Sequence, residues 1–153
     1  MKLSQILEEK SIILDLKAKD KRGALEELAE AFVSNGTPLD KGALVKVLLE
    51  RERLASTGIG EGIAIPHGKF HGVSQLIISF GRSLKGLDFE SMDGEPAFLF
   101  FLLIAPEDSD GIHLKTLARL AKILKSNSLR QVLMEAPTRE ELYQAIIQDD
   151  EEF

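Results

Sequence analysis

Apolar positions recur along this chain with two periods, and the switches between them mark out its elements. In "KRGALEELAEAFVSNG" the residues Leu25, Leu28, Ala29, Phe32 and Val33 fall three and four apart, which predicts a helix stopped at Asn35-Gly36. Asp40 stands where it can cap a second helix, with Ala43, Leu44, Val47 and Leu48 as its buried stripe. Arg51, three positions beyond Leu48, falls near that stripe at the helix's C-terminal end. Ahead of both, "LSQILEE" reads as a short helix and "SIILDL" (11–16) as a strand. "LIISFGRS" (76–83) and "AFLFFLLIA" (97–105) also read as strands, the second apolar throughout, as a central strand covered on both faces requires. Between them "LDFESMDGEP" suggests a short strand and a turn at Asp93-Gly94, and Pro106 ends the central strand.

A long helix is expected from His113, with Leu114, Leu117, Ala118, Ala121 and Leu124 on one face and Asp108, Ser109 or Asp110 as its N-cap. "LRQVLMEA" gives a shorter helix, and the last begins at Thr138, whose spacing to Glu141 is that of a capping box. Helices before and after a block of strands predict an α/β fold of three layers, α/β/α, with a mixed central sheet.

Composition adds limits. The 153 residues fit one domain, 1–153, able to bury roughly two thirds of its unfolded surface, with the acidic "DDEEF" (149–153) as a frayed end. Hydrophobic residues make up 44% and charged residues 29%, ordinary for a globular chain. A net charge of −6 argues against nucleic acid and anionic membranes as partners, since neutralising phosphates takes a clustered Lys/Arg excess. Cysteine is absent, which removes disulfides, thiolate nucleophiles and thiolate metal sites. "MKLSQILEEK" lacks the apolar stretch of a signal peptide, and "FLFFLLIA" (98–105) falls far short of the ~20 residues a membrane span needs, so a cytoplasmic protein without membrane insertion is expected.

The chemistry concentrates in "STGIGEGIAIPHGKFHG" (56–72), where five glycines surround one histidine at the end of an apolar run. Imidazole, with an unperturbed pKa of about 6.5, is a neutral nitrogen nucleophile near pH 7. To accept a phosphoryl group, His67 needs exposure, a fixed ring and donors for a dianion. Pro66 stiffens one side, and Gly68 leaves room for another surface on the other. The amides of Gly58, Gly60 and Gly62 with the hydroxyls of Ser56 and Thr57 could form an anion-binding concavity. A glycine-rich turn around a surface histidine accounts for the stretch equally well.

Two further residues suit phosphoryl binding. His113 stands at a helix start, where dipole and free amides keep an imidazole neutral, and Arg51 offers a planar fork. Each alone also fits a plain surface role, Arg51 as an ion-pair partner of Glu50 or Glu52. His67 and His71 stand four apart, a zinc spacing only if helical, and Gly68 and Gly72 oppose that helix. No complete nucleotide-binding fingerprint or hydrolase elbow occurs, and no metal or cofactor is called for.

"RERLASTGIGEGIAIPHG" (51–68) resembles the signature around the phosphorylated histidine of IIA components of the bacterial phosphoenolpyruvate-dependent phosphotransferase system, fructose/mannitol class. "HLKTLARLAKIL" (113–124) is similar to the second signature of that family, which carries a second active-site histidine. The resemblance runs from "KLSQIL" to "REELYQAI", and "LDFESMDGEPAFLFFLLIAPEDS" with no fused domain looks most like the nitrogen-regulatory branch. It implies a mixed sheet flanked by helices, and a phosphoryl group carried on His67 with Arg51 and His113 binding its oxygens. The donor implied is an HPr-type phosphocarrier. The acceptor implied is a regulatory target or, in a sugar-specific protein, the IIB component of a permease. Ile59 and Phe70 are candidates for an apolar rim around the ring, with Ile63 as readily in the core.

Overall fold

The computed structural model describes residues 1–148; the acidic end read above as a frayed tail lies outside the described residues. A short 3-10 turn, Leu3–Gln5, leads into β1 (Leu7–Ile13). Two helices follow, α1 (Lys21–Ser34) and α2 (Lys41–Leu54), then three short strands, β2 (Gly58–Gly60), β3 (Ile63–Ala64) and β4 (His67–Lys69). The long strands β5 (Ile77–Leu87) and β6 (Ala97–Ala105) precede α3 (Asp110–Leu124), α4 (Asn127–Glu135) and α5 (Arg139–Ile147).

The sheet is mixed, in the order β1-β5-β6-β3-β2, with β4 continuing beside β6 where β3 leaves off. β6 runs antiparallel to β5 and parallel to β3 and β4. Its alternating side chains divide the core. Leu99, Phe101 and Leu103 pack with Leu120, Leu124, Leu133 and Leu142 under α3, α4 and α5. Phe100, Leu102 and Ile104 pack with Leu25, Leu28, Phe32, Leu44 and Leu48 under α1 and α2. That is the three-layer α/β/α architecture expected.

Four local expectations are corrected. "LSQILEE" is not a helix: Leu3 and Leu7 have helical spacing, but Leu7 pairs with Ile78 of β5 and starts the first strand four residues early. A bulge between Leu7 and Ile12 breaks the alternation that would have announced that strand. The short strand in "LDFESMDGEP" is the end of β5, which reaches Leu87; Asp88 bridges to Asp20, and the turn at Asp93-Gly94 follows with Gly94 at φ 74°. In α2 the buried stripe is Leu44, Val45, Leu48 and Glu52, while Ala43 is exposed. In α3 it is His113, Thr116, Leu120 and Leu124, while Leu114 faces out and the helix begins at Asp110. The last two differences have one cause: apolar Ala43 and Leu114 lie outside the buried stripes, and polar Glu52, His113 and Thr116 complete them.

Candidate functional site

β4 and the N-terminal turn of α3 meet at the C-terminal end of β6, where clefts form in α/β sheets. His67 pairs with Leu103 and Gly68 with Ile104, so His67 and Lys69 share the α3 face and Gly68 turns to the other. The His67 ring is half-buried and anchored at Nδ1, which lies 2.8 Å from the carbonyl oxygen of Ile65. A carbonyl only accepts, so Nδ1 carries the proton and Nε2 keeps the lone pair. The His113 ring stands across it, nearly perpendicular at 79°, with centroids 5.5 Å apart.

His113 is buried, and its Nε2 has no hydrogen-bond partner among the described residues. An unmet polar atom in such a place is expensive and calls for a partner, whether a water or a ligand group. Burial pushes the His67 pKa below its ordinary 6.5, helped by the Arg51 charge and opposed by the Ile65 hydrogen bond and Glu52. Burial also lowers that of His113, followed by the charges of His67 and Lys69. Both rings are therefore neutral at pH 7, as a nitrogen nucleophile and a phosphoryl-facing donor need to be.

Arg51, in the last turn of α2, donates from Nη1 to the carbonyl oxygen of Ala55 at 3.0 Å. The fold thus gathers His67, His113 and Arg51. The glycine concavity comes out differently. Gly60 pairs with Ile63, four positions of β6 back from the His67 register, roughly 13 Å at ~3.3 Å per residue. A Cβ there would meet the Asp93 carboxylate at 3.1 Å, so Gly60 adjoins a negative charge and serves a hairpin turn at φ 96°. The Gly58 amide already donates to Ser56 Oγ at 3.1 Å. Thr57 is buried, and its hydroxyl donates to the Glu52 carboxylate. Of the expected set Ser56, Thr57, Gly58 and Gly60, Thr57, Gly58 and Gly60 are buried, and Ser56 is half-buried and still within reach of solvent. Gly68 does not open onto a partner either: a Cβ would face Leu48 and Val47 of α2 at ordinary contact distance.

Ile59 is 48% exposed, whereas Phe70 leans on the core beneath α1 and α2. His71 is exposed and pairs with Glu107 rather than with His67. Glu52, Lys69, Leu54 and Leu114 also belong to this region, and none of them stands out as functional in the sequence. Lys69 forms an ion pair with Asp110 in the first turn of α3, and Leu54 and Leu114 are 81% and 68% exposed on the elements that carry Arg51 and His113. The signals that could have found them are the two-residue spacing of His67 and Lys69 and the four-residue spacing of Leu44, Leu48 and Glu52.

The molecule is thus an α/β protein whose mixed sheet, between two helical layers, brings two histidines together at the end of its central strand. The chain belongs to the family described as "Phosphoenolpyruvate-dependent sugar phosphotransferase system, EIIA 2", whose model matches residues 5–149, and at family level it is a phosphoryl carrier of that system. It is 39% identical over 150 residues to the fructose-specific EIIABC component of Bacillus subtilis, covering 98% of this chain and 24% of that one. It therefore spans about a quarter of that relative's length. It is 38% identical over 146 residues to a nitrogen regulatory protein of Bradyrhizobium diazoefficiens, covering 95% of each. The crystal structure of nitrogen regulatory protein IIA-Ntr from Neisseria meningitidis superposes with a TM-score of 0.86 at 34% identity, over 93% of this chain and 97% of that one.

Proposed function

We propose that this protein accepts a phosphoryl group on Nε2 of His67 from the phosphohistidine of an HPr-type carrier, and that its phosphorylation state is read by a regulatory protein. The observation that carries the proposal is the state of the two rings: Nδ1 of His67 is committed to Ile65, so Nε2 is its free nitrogen, and a buried unpartnered Nε2 stands opposite in His113. The lone pair of His67 Nε2 forms the new N–P bond while the donor's N–P bond breaks and its electron pair returns to the donor ring. Arg51 and His113 hold the equatorial oxygens; positioning and charge, not covalent help, supply the rate. Leu54 and Leu114, exposed on the elements that carry Arg51 and His113, and Ile59, exposed on β2, offer apolar surface against which the donor docks in the cytoplasm.

Likeness to the two nitrogen regulatory proteins supports a regulatory output. Transfer onward to a IIB component is the second reading, supported by the equal similarity of the fructose-specific relative. The test is intact mass after incubation with phosphoenolpyruvate, Enzyme I and HPr, with His67→Ala alongside. One acid-labile phosphate on wild type and none on the variant is expected; an unphosphorylated wild type would sink the proposal. Adding a IIB protein then separates the two outputs, since onward transfer discharges the phosphate.

A further inference from the structure

Glu52 sits on the buried stripe of α2, and its carboxylate is shut away from water. A buried carboxylate is costly unless paired and hydrogen-bonded, and both conditions are met here. Lys21 Nζ, from the first turn of α1, lies 3.0 Å from Oε1 and itself stands over the Phe89 ring. Thr57 donates its backbone N–H to the carboxylate at 3.1 Å and its hydroxyl as well. The carbonyl of Thr57 accepts the N–H of Ile65 at 3.0 Å, and the carbonyl of Ile65 accepts Nδ1–H of His67. An unbroken run of contacts therefore leads from α1 through α2 to the imidazole.

We propose that Glu52 is a positioning residue of the phosphoryl-transfer site, which fixes the plane and tautomer of the His67 ring through Thr57 and Ile65 and supplies fixed negative charge beside it. The proposal rests on His67 being the nucleophile. When Nε2 bonds phosphorus no proton is transferred; Nδ1 keeps its hydrogen and the ring becomes cationic. That cation faces Arg51, which opposes it, and neutral His113 with Lys69 behind it, so beside the phosphoryl group's own charge Glu52 is the carboxylate among the described residues whose charge acts to favour it. Lys21 offsets part of that charge, and positioning through Thr57 carries the larger share.

The experiment compares single-turnover phosphoryl uptake from phospho-HPr by wild type, Glu52→Gln and the pair Lys21→Met/Glu52→Gln, with ¹⁵N spectra of the His67 ring. Gln keeps the length but loses the charge, so uptake should slow about tenfold, the worth of one buried charged hydrogen bond, at unchanged KM for the donor. The Nε2–H tautomer of His67 should appear, and its titration midpoint should move down because a neighbouring negative charge is gone. The paired variant also removes the orphaned lysine. It should recover any stability lost in Glu52→Gln yet remain slow, which a merely structural role does not predict. Uptake at the wild-type rate with an unmoved tautomer, in whichever of the two variants is folded, would overturn the proposal. If wild type itself takes up no phosphate, the functional reading falls and this proposal with it, an outcome plainly distinct from a fast Glu52→Gln.

Discussion

At the scale of single residues, the two histidines tie chemistry to pH. Both have pKa values lowered below 6.5 by burial, so the unfolded chain takes up their protons first as pH falls. Stability is unaffected above that value and declines below it, through the depressed folded values. The urea midpoint should therefore be lower at pH 5.5 than at pH 7.5, above the range where carboxylates titrate, and by a smaller difference in His113→Gln. Phosphoryl uptake should correspondingly persist to lower pH than the reactivity of free imidazole. Arg51→Lys keeps a charge but loses the fork, and uptake should drop by about ten- to hundredfold, as loss of a charge-assisted contact of ~1.5–3 kcal/mol implies. A Lys variant that transfers at the wild-type rate would remove Arg51 from the site. At this scale the candidates came from the family resemblance, since His113 and Arg51 taken singly fit plain surface roles, and what the fold adds is that His113 and the Arg51 charge lie beside His67. Glu52 did not stand out, because a carboxylate inside "RER" looks solvated until the helix is docked.

Elements decide what the glycines are for. A Cβ on Gly58 would lie 2.3 Å from Ser91 Oγ and 3.0 Å from its backbone Cα, a clash that β2 and the loop before β6 must separate to relieve. Gly58→Ala should cost ~1–3 kcal/mol in a denaturant titration. On Gly68 the nearest atoms are at 3.5 Å and 3.6 Å, ordinary contact with α2, so Gly68→Ala should fold with nearly unchanged midpoint and be phosphorylated. The loop's glycine signature was visible in the sequence, but its purpose was not. Strand pairing, absent from any local pattern, sets these glycines in a hairpin packed against Ser91, Asp93 and Phe98. On α3, the outward Leu114 beside buried His113 carries the test of the proposed docking surface: Leu114→Asp should raise the donor KM several-fold while leaving uptake at saturating donor unchanged. A change in the saturated rate instead would place Leu114 in the chemistry.

Over the whole molecule, one buried cation joins the parts. Arg82 of β5 donates to the carbonyl of Leu14 after β1 and to those of Leu133 and Ala136 at the end of α4, fastening the outer strand and the C-terminal helices to one point. Arg82→Met leaves those carbonyls unmet and should lower stability by ~2–4 kcal/mol, while the folded fraction is phosphorylated normally; an unchanged midpoint would show the cluster is not the fastener described. The sequence by itself determined the helices with strong periodicity, the apolar central strand, the three-layer class and the signature around His67, because each depends on spacing within one segment. Only the tertiary structure decided that the first strand starts at Leu7, that His67 offers Nε2, that His113 faces it from a buried stripe, and that Glu52 is linked to His67 through Thr57 and Ile65. Those facts depend on which segments pair, and on the desolvation that pairing imposes on polar groups brought together from distant parts of the chain.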